Sequence, residues 1–464
     1  MNYWLVRANW GGDDKTEQFL QNDEWINEDD GKYVDIINRV EEGDILLLAN
    51  KSNTPHYIIR YFGVCKPNKN DGKVIDVEKW IKLTTIISFP AKGAYIQRII
   101  KIKNRMLLAT MKKIVSNHLE RNQLILKNIS LENFTLFKNI KLNFSSGINI
   151  FIGENGTGKT HILKVIYSTI QANNALSRKP TITETNLAES IFYELNEVFR
   201  SKQVKDLRSF DTDRASIQID LSDYLIDFSI TEYSNSRVNI NELSKNISKK
   251  DITFIPPKEF LSNFKGFRSL WEDYYIHFDK TFYDLVKILD RPLIKDTSII
   301  EDINDRLENI LEGEIIQENG EFYLKRNKDN KLVIVSMLAE GLRKIGTISY
   351  LLRNGSLSKN SILIWDEPES NLNPKHIRVI AKLFIDLERI GIQIFIATHS
   401  LFLVKEIEIL KASEKECDIK YFSFGFDENN SLRVSQNIEF DYLDDLVMLD
   451  EAIEQSDRFM REVD

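Results

Sequence analysis

The sequence predicts an α/β fold: a parallel sheet with a phosphate loop, a helical insertion, and a small β-barrel-like domain in front. Three observations carry that expectation. A glycine loop, Gly153 to Thr160, lies between an apolar strand pattern and a helical one. Two later apolar runs end in Asp366-Glu367 and in Thr398-His399, as neighbouring strands of one sheet would if they delivered polar groups to a common edge. The first 105 residues hold four of the six tryptophans, in short strand-like runs.

Taken in order, residues 1–105 read as a β-rich domain with strands Tyr3–Arg7, Asp44–Ala49, His56–Cys65 and Lys79–Ser88, separated by turns such as Asn70-Asp71-Gly72. Its charge is split, with −8 over residues 1–50 and +9 over 51–105. A basic second half is where phosphates would be met, against the plainer reading of a solvated mixed surface. Residues 106–123 space Leu107, Met111, Ile114 and Leu119 as an amphipathic helical connector. From Leu124 an alternating ribbon leads into strand Ile148–Ile152, the glycine loop and helix His161–Ala172. Residues 174–320 are polar and helix-prone, and are expected to form a helical lid inserted into a larger α/β region, 124–464. Beyond Leu332 the α/β pattern returns: a helix from Glu340, strand Ile362–Trp365, helix Lys375–Arg389, strand Ile392–Ala397 and helix Leu401–Leu410. A strand pair and a last helix close the chain.

Composition excludes several classes. With 464 residues, 42% hydrophobic and 28% charged, the chain is of ordinary globular type. A net charge of −8 is wrong for a wholly basic DNA-coating protein, although a local basic stripe remains compatible with it. Cys65 and Cys417 are the only cysteines, too few for a disulfide framework or a cysteine-rich zinc site. No apolar run approaches ~18 residues, and the start MNYWLVRANW lacks a signal-peptide pattern. A cytoplasmic location without a membrane partner is expected.

The chemistry is concentrated in three places. Gly153-Glu154-Asn155-Gly156-Thr157-Gly158-Lys159-Thr160 fits G-x-x-x-x-G-K-[ST] throughout. Glycines let the backbone turn its N–H groups toward phosphate oxygens, and the following helix, with His161 in its first turn, points its positive end at the same anion. Lys159 is expected on the β- and γ-phosphates of ATP, and Thr160 on Mg2+. At the end of the Ile362 strand, Asp366 is the second candidate metal residue and Glu367 the candidate proton acceptor for an attacking water. His399 ends the strand expected beside Asp366 and is the candidate contact to the γ-phosphate or the water.

These motifs, in this order, resemble ABC-type ATPases of the SMC/OLD group. The resemblance covers roughly 124–464. It implies that Ser370 to Pro374, with Asn371 and Asn373, is a D-loop crossing a dimer interface. It also implies that Leu338-Ala339-Glu340-Gly341, followed by Leu342, Arg343 and Lys344, is the signature segment that caps the γ-phosphate bound on the other subunit. Ala339 stands where the signature serine is usual, which suits a slow switch; Gly341 with Arg343 or Lys344 would then serve the phosphate. Ile255-Pro256-Pro257-Lys258-Glu259 is similar to a strand of OLD-like defence ATPases at the Q-loop position, which makes Lys258 or Glu259 a nucleotide sensor. Phe134 and Phe137 lie where the group places residues near adenine, although strand core is their commoner use. A nuclease of the TOPRIM type is not expected in the 65 residues after His399.

The match therefore resembles stand-alone ATPases of bacterial anti-phage systems of the Septu, retron-associated and PARIS types. It implies a homodimer or higher homo-oligomer, ATP and Mg2+, and a separate effector, nuclease or toxin. The first 105 residues resemble the EVE/YTH-like branch of the PUA superfamily through Asn2 to Arg7, Val40 to Leu46 and Tyr61 to Cys65. That implies a nucleic-acid ligand and an aromatic cage for a modified base, with Trp10, Trp25 and Trp80 as candidates against a reading as barrel core. The rival functions are a DNA-repair or chromosome-maintenance ATPase and an ATP-stabilised scaffold for an effector.

Overall fold

A computed structural model describes residues 2–10, 13–27, 32–51, 56–90, 99–102, 108, 111, 125–176, 183–222, 224–243, 249–274, 276–293, 298–413, 417–427, 431–444 and 446–463. The chain divides into two compact units, Met1–Asn122 and Gln123–Asp464. Apart from Leu108 and Met111, the expected connector helix 106–123 lies outside the described residues.

The first unit is built on a six-stranded sheet in the order Glu24–Ile26, Val74–Pro90, His56–Cys65, Ile45–Lys51, Tyr3–Arg7, Ile99–Lys101. Tyr3–Arg7 runs parallel to Ile45–Lys51, and the other pairings are antiparallel. One face of the sheet packs Trp4, Trp25 and Trp80 with Val6, Phe19, Leu46 and Ile75. The base-cage expectation is corrected here for two of its three residues. Trp25 is 0% exposed and Trp80 6%, and the Trp25 indole N–H donates to the Arg7 carbonyl at 3.0 Å. A ring whose faces are covered by core side chains cannot stack on a base. The side chain of Trp10 lies outside the description.

The second unit has two principal sheets. A six-stranded sheet runs in the order Ile252–Ile255, Ile362–Asp366, Gln393–Thr398, Ile148–Gly153, Ile419–Phe426, Leu432–Asn437. Its first five strands are parallel and the last is antiparallel. Such a sheet must be covered on both faces, and its alternating side chains separate accordingly. Ile148, Ile150, Ile152, Leu363 and Trp365 pack with apolar residues of helices Glu340–Arg353, Pro374–Arg389 and Leu401–Ser413. Phe151, Ile364 and Phe395 face the other way, onto Ile162, Val165 and Ile166 of helix Lys159–Leu176. That second cluster continues into a five-stranded antiparallel sheet in the order Phe137–Asn143, Leu126–Phe134, Arg214–Leu221, Tyr224–Thr231, Asn239–Leu243. The helix after the glycine loop is thus clamped between two sheets.

The expectation of a helical lid over 174–320 is corrected. Helices Glu184–Phe199, Phe267–Asp273, Lys280–Leu289 and Ser298–Leu311 are present. The same stretch also supplies three strands of the antiparallel sheet and the edge strand Ile252–Ile255 of the parallel one. The reason is period-two burial. Ala215, Ile217, Ile219 and Leu221 are each 1% exposed or less, while Ser216, Gln218 and Asp220 between them give the run its polar look. Among the described residues no helix is long and apolar enough to cross a membrane.

Candidate nucleotide site

Parallel strands that end together bring the separated motifs to one edge of the sheet. Ile152 pairs with Thr398, and Ala397 pairs with Asp366, so the glycine loop, Asp366 and His399 emerge from adjacent strands. The loop's glycines are fixed by sterics as well as by conformation. At Gly153, with φ +153°, a Cβ would lie 2.2 Å from the Phe424 carbonyl oxygen. At Gly158, with φ +88°, it would lie 2.6 Å from the Phe137 ring. Thr157 is fully buried and its hydroxyl donates to the Glu154 carbonyl at 2.8 Å, closing the loop. Glu154, Asn155 and Gly156 are exposed at its tip.

Lys159 opens the helix with a side chain folded back on the loop. Its Nζ donates to the carbonyls of Gly153 at 2.7 Å and Glu154 at 2.6 Å. Burial lowers its pKa, against the pull of Asp366, Glu367 and Glu369. The Thr160 hydroxyl donates to Asp366 Oδ2 at 2.9 Å. Asp366 is 3% exposed, and burial pushes its pKa up to about 6; the charge of Glu367 adds to the rise, while Thr160, Lys164 and Lys159 oppose it. A buried carboxylate beside a hydroxyl, next to helix-terminal N–H groups, is the donor chemistry of a Mg2+–phosphate site. These residues therefore fit the group.

Glu367 follows with φ +48°, its N–H donating to the Ala397 carbonyl at 2.9 Å. His399 Nδ1 stands 3.7 Å from Glu367 Oε1 and 3.7 Å from Glu369 Oε1. Glu369, which the motif reading passed over, accepts from the Thr398 hydroxyl at 2.6 Å and from the His399 N–H at 3.1 Å. Its signal was present in the sequence as a third acid two residues beyond Glu367.

The remaining expected residues make contacts within the chain. Phe134 and Phe137 are both 0% exposed, and Phe134 packs edge-on against Phe199. The adenine-stacking expectation is corrected, since neither ring has a free face. His161 lies edge-on to Phe199 at 5.6 Å, and burial lowers its pKa, with Lys164 adding to the effect. Gly341 is buried where a Cβ would meet His376 Nδ1 at 2.5 Å. Ala339 is the uncapped N-cap of helix Glu340–Arg353, and Leu338 packs against the helix-covered core. Arg343 pairs with Glu259 at 2.6 Å and donates to the Leu338 carbonyl at 3.0 Å. Lys258 sits over the Phe278 ring at 5.4 Å. Asn371 donates to Glu340 at 3.1 Å, and Asn373 accepts from the His376 N–H at 3.0 Å as the cap of its helix. Of the two basic residues offered as helpers to the phosphate, Arg343 or Lys344, Lys344 is 2% exposed and turned inward onto oxygens of the 367–370 turn.

Residues 148–405 match the family model described as "AAA domain, putative AbiEii toxin, Type IV TA system". The chain belongs to this AAA-domain family. The match contains the glycine loop, the Asp366-Glu367 strand and His399, so the family domain is the P-loop ATPase domain itself. The DNA replication and repair protein RecF of Clostridium acetobutylicum is 32% identical over 130 residues, 27% of this chain and 29% of that protein. RecF of Rickettsia massiliae is 28% identical over 195 residues, 39% and 48% of the two chains. The chain thus spans less than half the length of these relatives. Among solved structures, an SMC head bound to the C-winged helix domain of ScpA aligns with TM-score 0.42 and 13% identity, over 68% of this chain and 97% of that one. The SMC head domain from Thermotoga maritima gives 0.39 and 12%, over 68% and 99%.

Proposed function

We propose that this AAA-domain protein is an ATP-hydrolysing switch that closes as a homodimer and controls a separate effector, a nuclease or toxin, in bacterial anti-phage defence. One observation carries the enzymatic part: Thr160 Oγ1 and Asp366 Oδ2 meet at 2.9 Å, with Glu367 next in the chain and His399 3.7 Å from its carboxylate. Thr160 and Asp366 would hold Mg2+, which when bound neutralises phosphate charge. Lys159 would exchange the carbonyls of Gly153 and Glu154 for phosphate oxygens. Glu367 would accept the proton of the attacking water, and His399, 45% exposed, would meet the γ-phosphate or the water. The helix start at Glu340 and Gly341, with Asn371 beside it, would cap the nucleotide of the second subunit.

The defence assignment is supported by the toxin and toxin–antitoxin wording of the family description. The likeness to RecF over as much as 195 residues supports a second reading, DNA repair. In either reading the N-terminal β-rich unit is the proposed nucleic-acid sensor, without a cage from Trp25 and Trp80.

The test has two stages. Lys159→Ala should abolish ATP binding, whereas Glu367→Gln should bind ATP and persist as a dimer on a sizing column. Equal turnover in Glu367→Gln and the parent chain would remove the assigned proton acceptor. Expression of the surrounding operon should then copurify an effector and protect cells from phage. Sensitivity to DNA damage on deletion, without loss of phage protection, would select the repair reading.

A further inference from the structure

The turn that carries Glu367 is held from behind by a residue that the proposed reaction does not use. Lys344 sits in the first turns of helix Glu340–Arg353 and is 2% exposed. Its Nζ donates to the carbonyl of Ser370 at 2.8 Å and to the Ser370 hydroxyl at 2.6 Å. It also reaches the carbonyls of Glu367 at 3.3 Å and Pro368 at 3.4 Å. Four oxygens of one short turn thus converge on one ammonium. The Ser370 hydroxyl in turn donates to the Pro257 carbonyl at 3.2 Å.

Burying an ammonium among neutral acceptors is costly unless the acceptors are well placed. Burial lowers the pKa of Lys344, against the carboxylates of Glu340, Glu369, Glu367 and Glu259. The turn needs such a hold. Glu367 is in left-handed backbone at φ +48°, and so is Asn371 at φ +60°; a glutamate does not choose that conformation unaided. The Glu367 carbonyl, whose direction is tied to that backbone, is one of the four acceptors.

We propose that Lys344 is a positioning residue that clamps the 367–370 turn from the buried face of helix Glu340–Arg353 and so sets where the Glu367 carboxylate stands. The inference rests on Glu367 being the proton acceptor in hydrolysis. It also gives the helix a mechanical link to the acid: Gly341 at the helix start and Lys344 one turn on belong to one rigid element, so a displacement of the helix start moves the turn.

The experiment is a double-mutant cycle in the full-length chain, reading kcat, KM for ATP and thermal midpoint. Lys344→Met should lower kcat about tenfold or more while KM stays within about threefold, because the nucleotide contacts are elsewhere. In a Glu367→Gln background the same change should cost nothing further. Lys344→Arg should not restore turnover, since a planar fork cannot aim at four converging oxygens. Ser370→Ala, which removes one acceptor, should lower kcat by a smaller factor and keeps the test open if Lys344→Met does not fold. Unchanged kcat in folded Lys344→Met, or in Ser370→Ala, would overturn the clamp, and so would losses that multiply with that of Glu367→Gln. If Glu367→Gln alone leaves turnover intact, the proton-acceptor reading fails and the clamp falls with it.

Discussion

The glycine loop and the acidic turn both enter left-handed backbone, and they do it by opposite means. Gly153, Gly156 and Gly158 stand at φ +153°, +83° and +88°, where the absence of a Cβ makes the conformation locally acceptable. Glu367 and Asn371, at +48° and +60°, carry side chains, and the turn between them is tied to a distant helix by Lys344 and by the Asn371–Glu340 contact. The first loop's backbone conformation is permitted locally by its glycines, even though Gly153 and Gly158 also pack closely against Phe424 and Phe137. The second borrows its shape from tertiary structure, and for that reason it can change when the helix moves. A phosphate cradle gains from being fixed in advance, and the proton acceptor proposed for Glu367 would gain from being adjustable if it engages only in the proposed closed state.

The comparison breaks most visibly at Gly153. Gly153→Ala puts a methyl 2.2 Å from the Phe424 carbonyl of the paired strand, and a backbone atom there cannot turn aside. A loss of about 3 kcal/mol or more is expected in urea unfolding, together with loss of ATP binding. Gly156→Ala is its control, because nothing lies within 4 Å of the added Cβ, so only the conformational cost of about 1–2 kcal/mol applies. Equal losses at the two positions would show that packing against Phe424 does not shape the loop.

A second, smaller effect belongs to the carboxylate between the two loops. Asp366 has its pKa raised to about 6, chiefly by burial, above the ~3.9 of an unfolded chain. The sign follows: the folded state favours the protonated acid, so this contribution is intact below about pH 4 and is lost as pH rises through 6. Asp366→Asn removes the titration. In metal-free buffer the variant should therefore exceed the parent in stability above pH 6, by up to about 3 kcal/mol, and the gap should close below pH 4. A gap that is constant over pH 3 to 8 would contradict the burial argument.

What could be read in advance follows the same division. The glycine loop was legible because the residues that permit its backbone form one contiguous motif, although the packing of Gly153 and Gly158 against Phe424 and Phe137 is not local. The strands Ile362–Asp366 and Gln393–Thr398 were legible because a strand covered on both faces is an unbroken apolar run. The three strands of the antiparallel sheet inside 174–320 were hidden, since a half-polar strand such as Arg214–Leu221 shows only a period of two within a stretch rich in charge. Trp25 and Trp80 were ambiguous for a different reason: a tryptophan serves equally well in a core and in a cage, and only the fold covers or bares its faces. Motif position left Lys344 open as an alternative to Arg343. Lys344 shares the apolar face of its helix with Ile348 and Leu351, four and seven residues on and both 0% exposed. A lysine in register with core positions was the available sign that it points inward.

The smallest expected effect isolates the strain in the acidic turn. Glu367→Gly relieves a left-handed residue worth about 1–2 kcal/mol and adds about 0.5–1 kcal/mol of backbone entropy to the unfolded chain. The balance is a gain of about 0.5–1 kcal/mol in stability, together with loss of hydrolysis. Asn371→Gly should change stability much less, since asparagine tolerates the left-handed region. Denaturant midpoints of the two variants beside the parent decide the matter. A more stable, inactive Glu367→Gly means that the chain holds its acid in a conformation the acid itself resists. A less stable one means that Glu367 contributes packing or hydrogen bonding that outweighs its backbone cost, and the turn would then be self-supporting like the glycine loop.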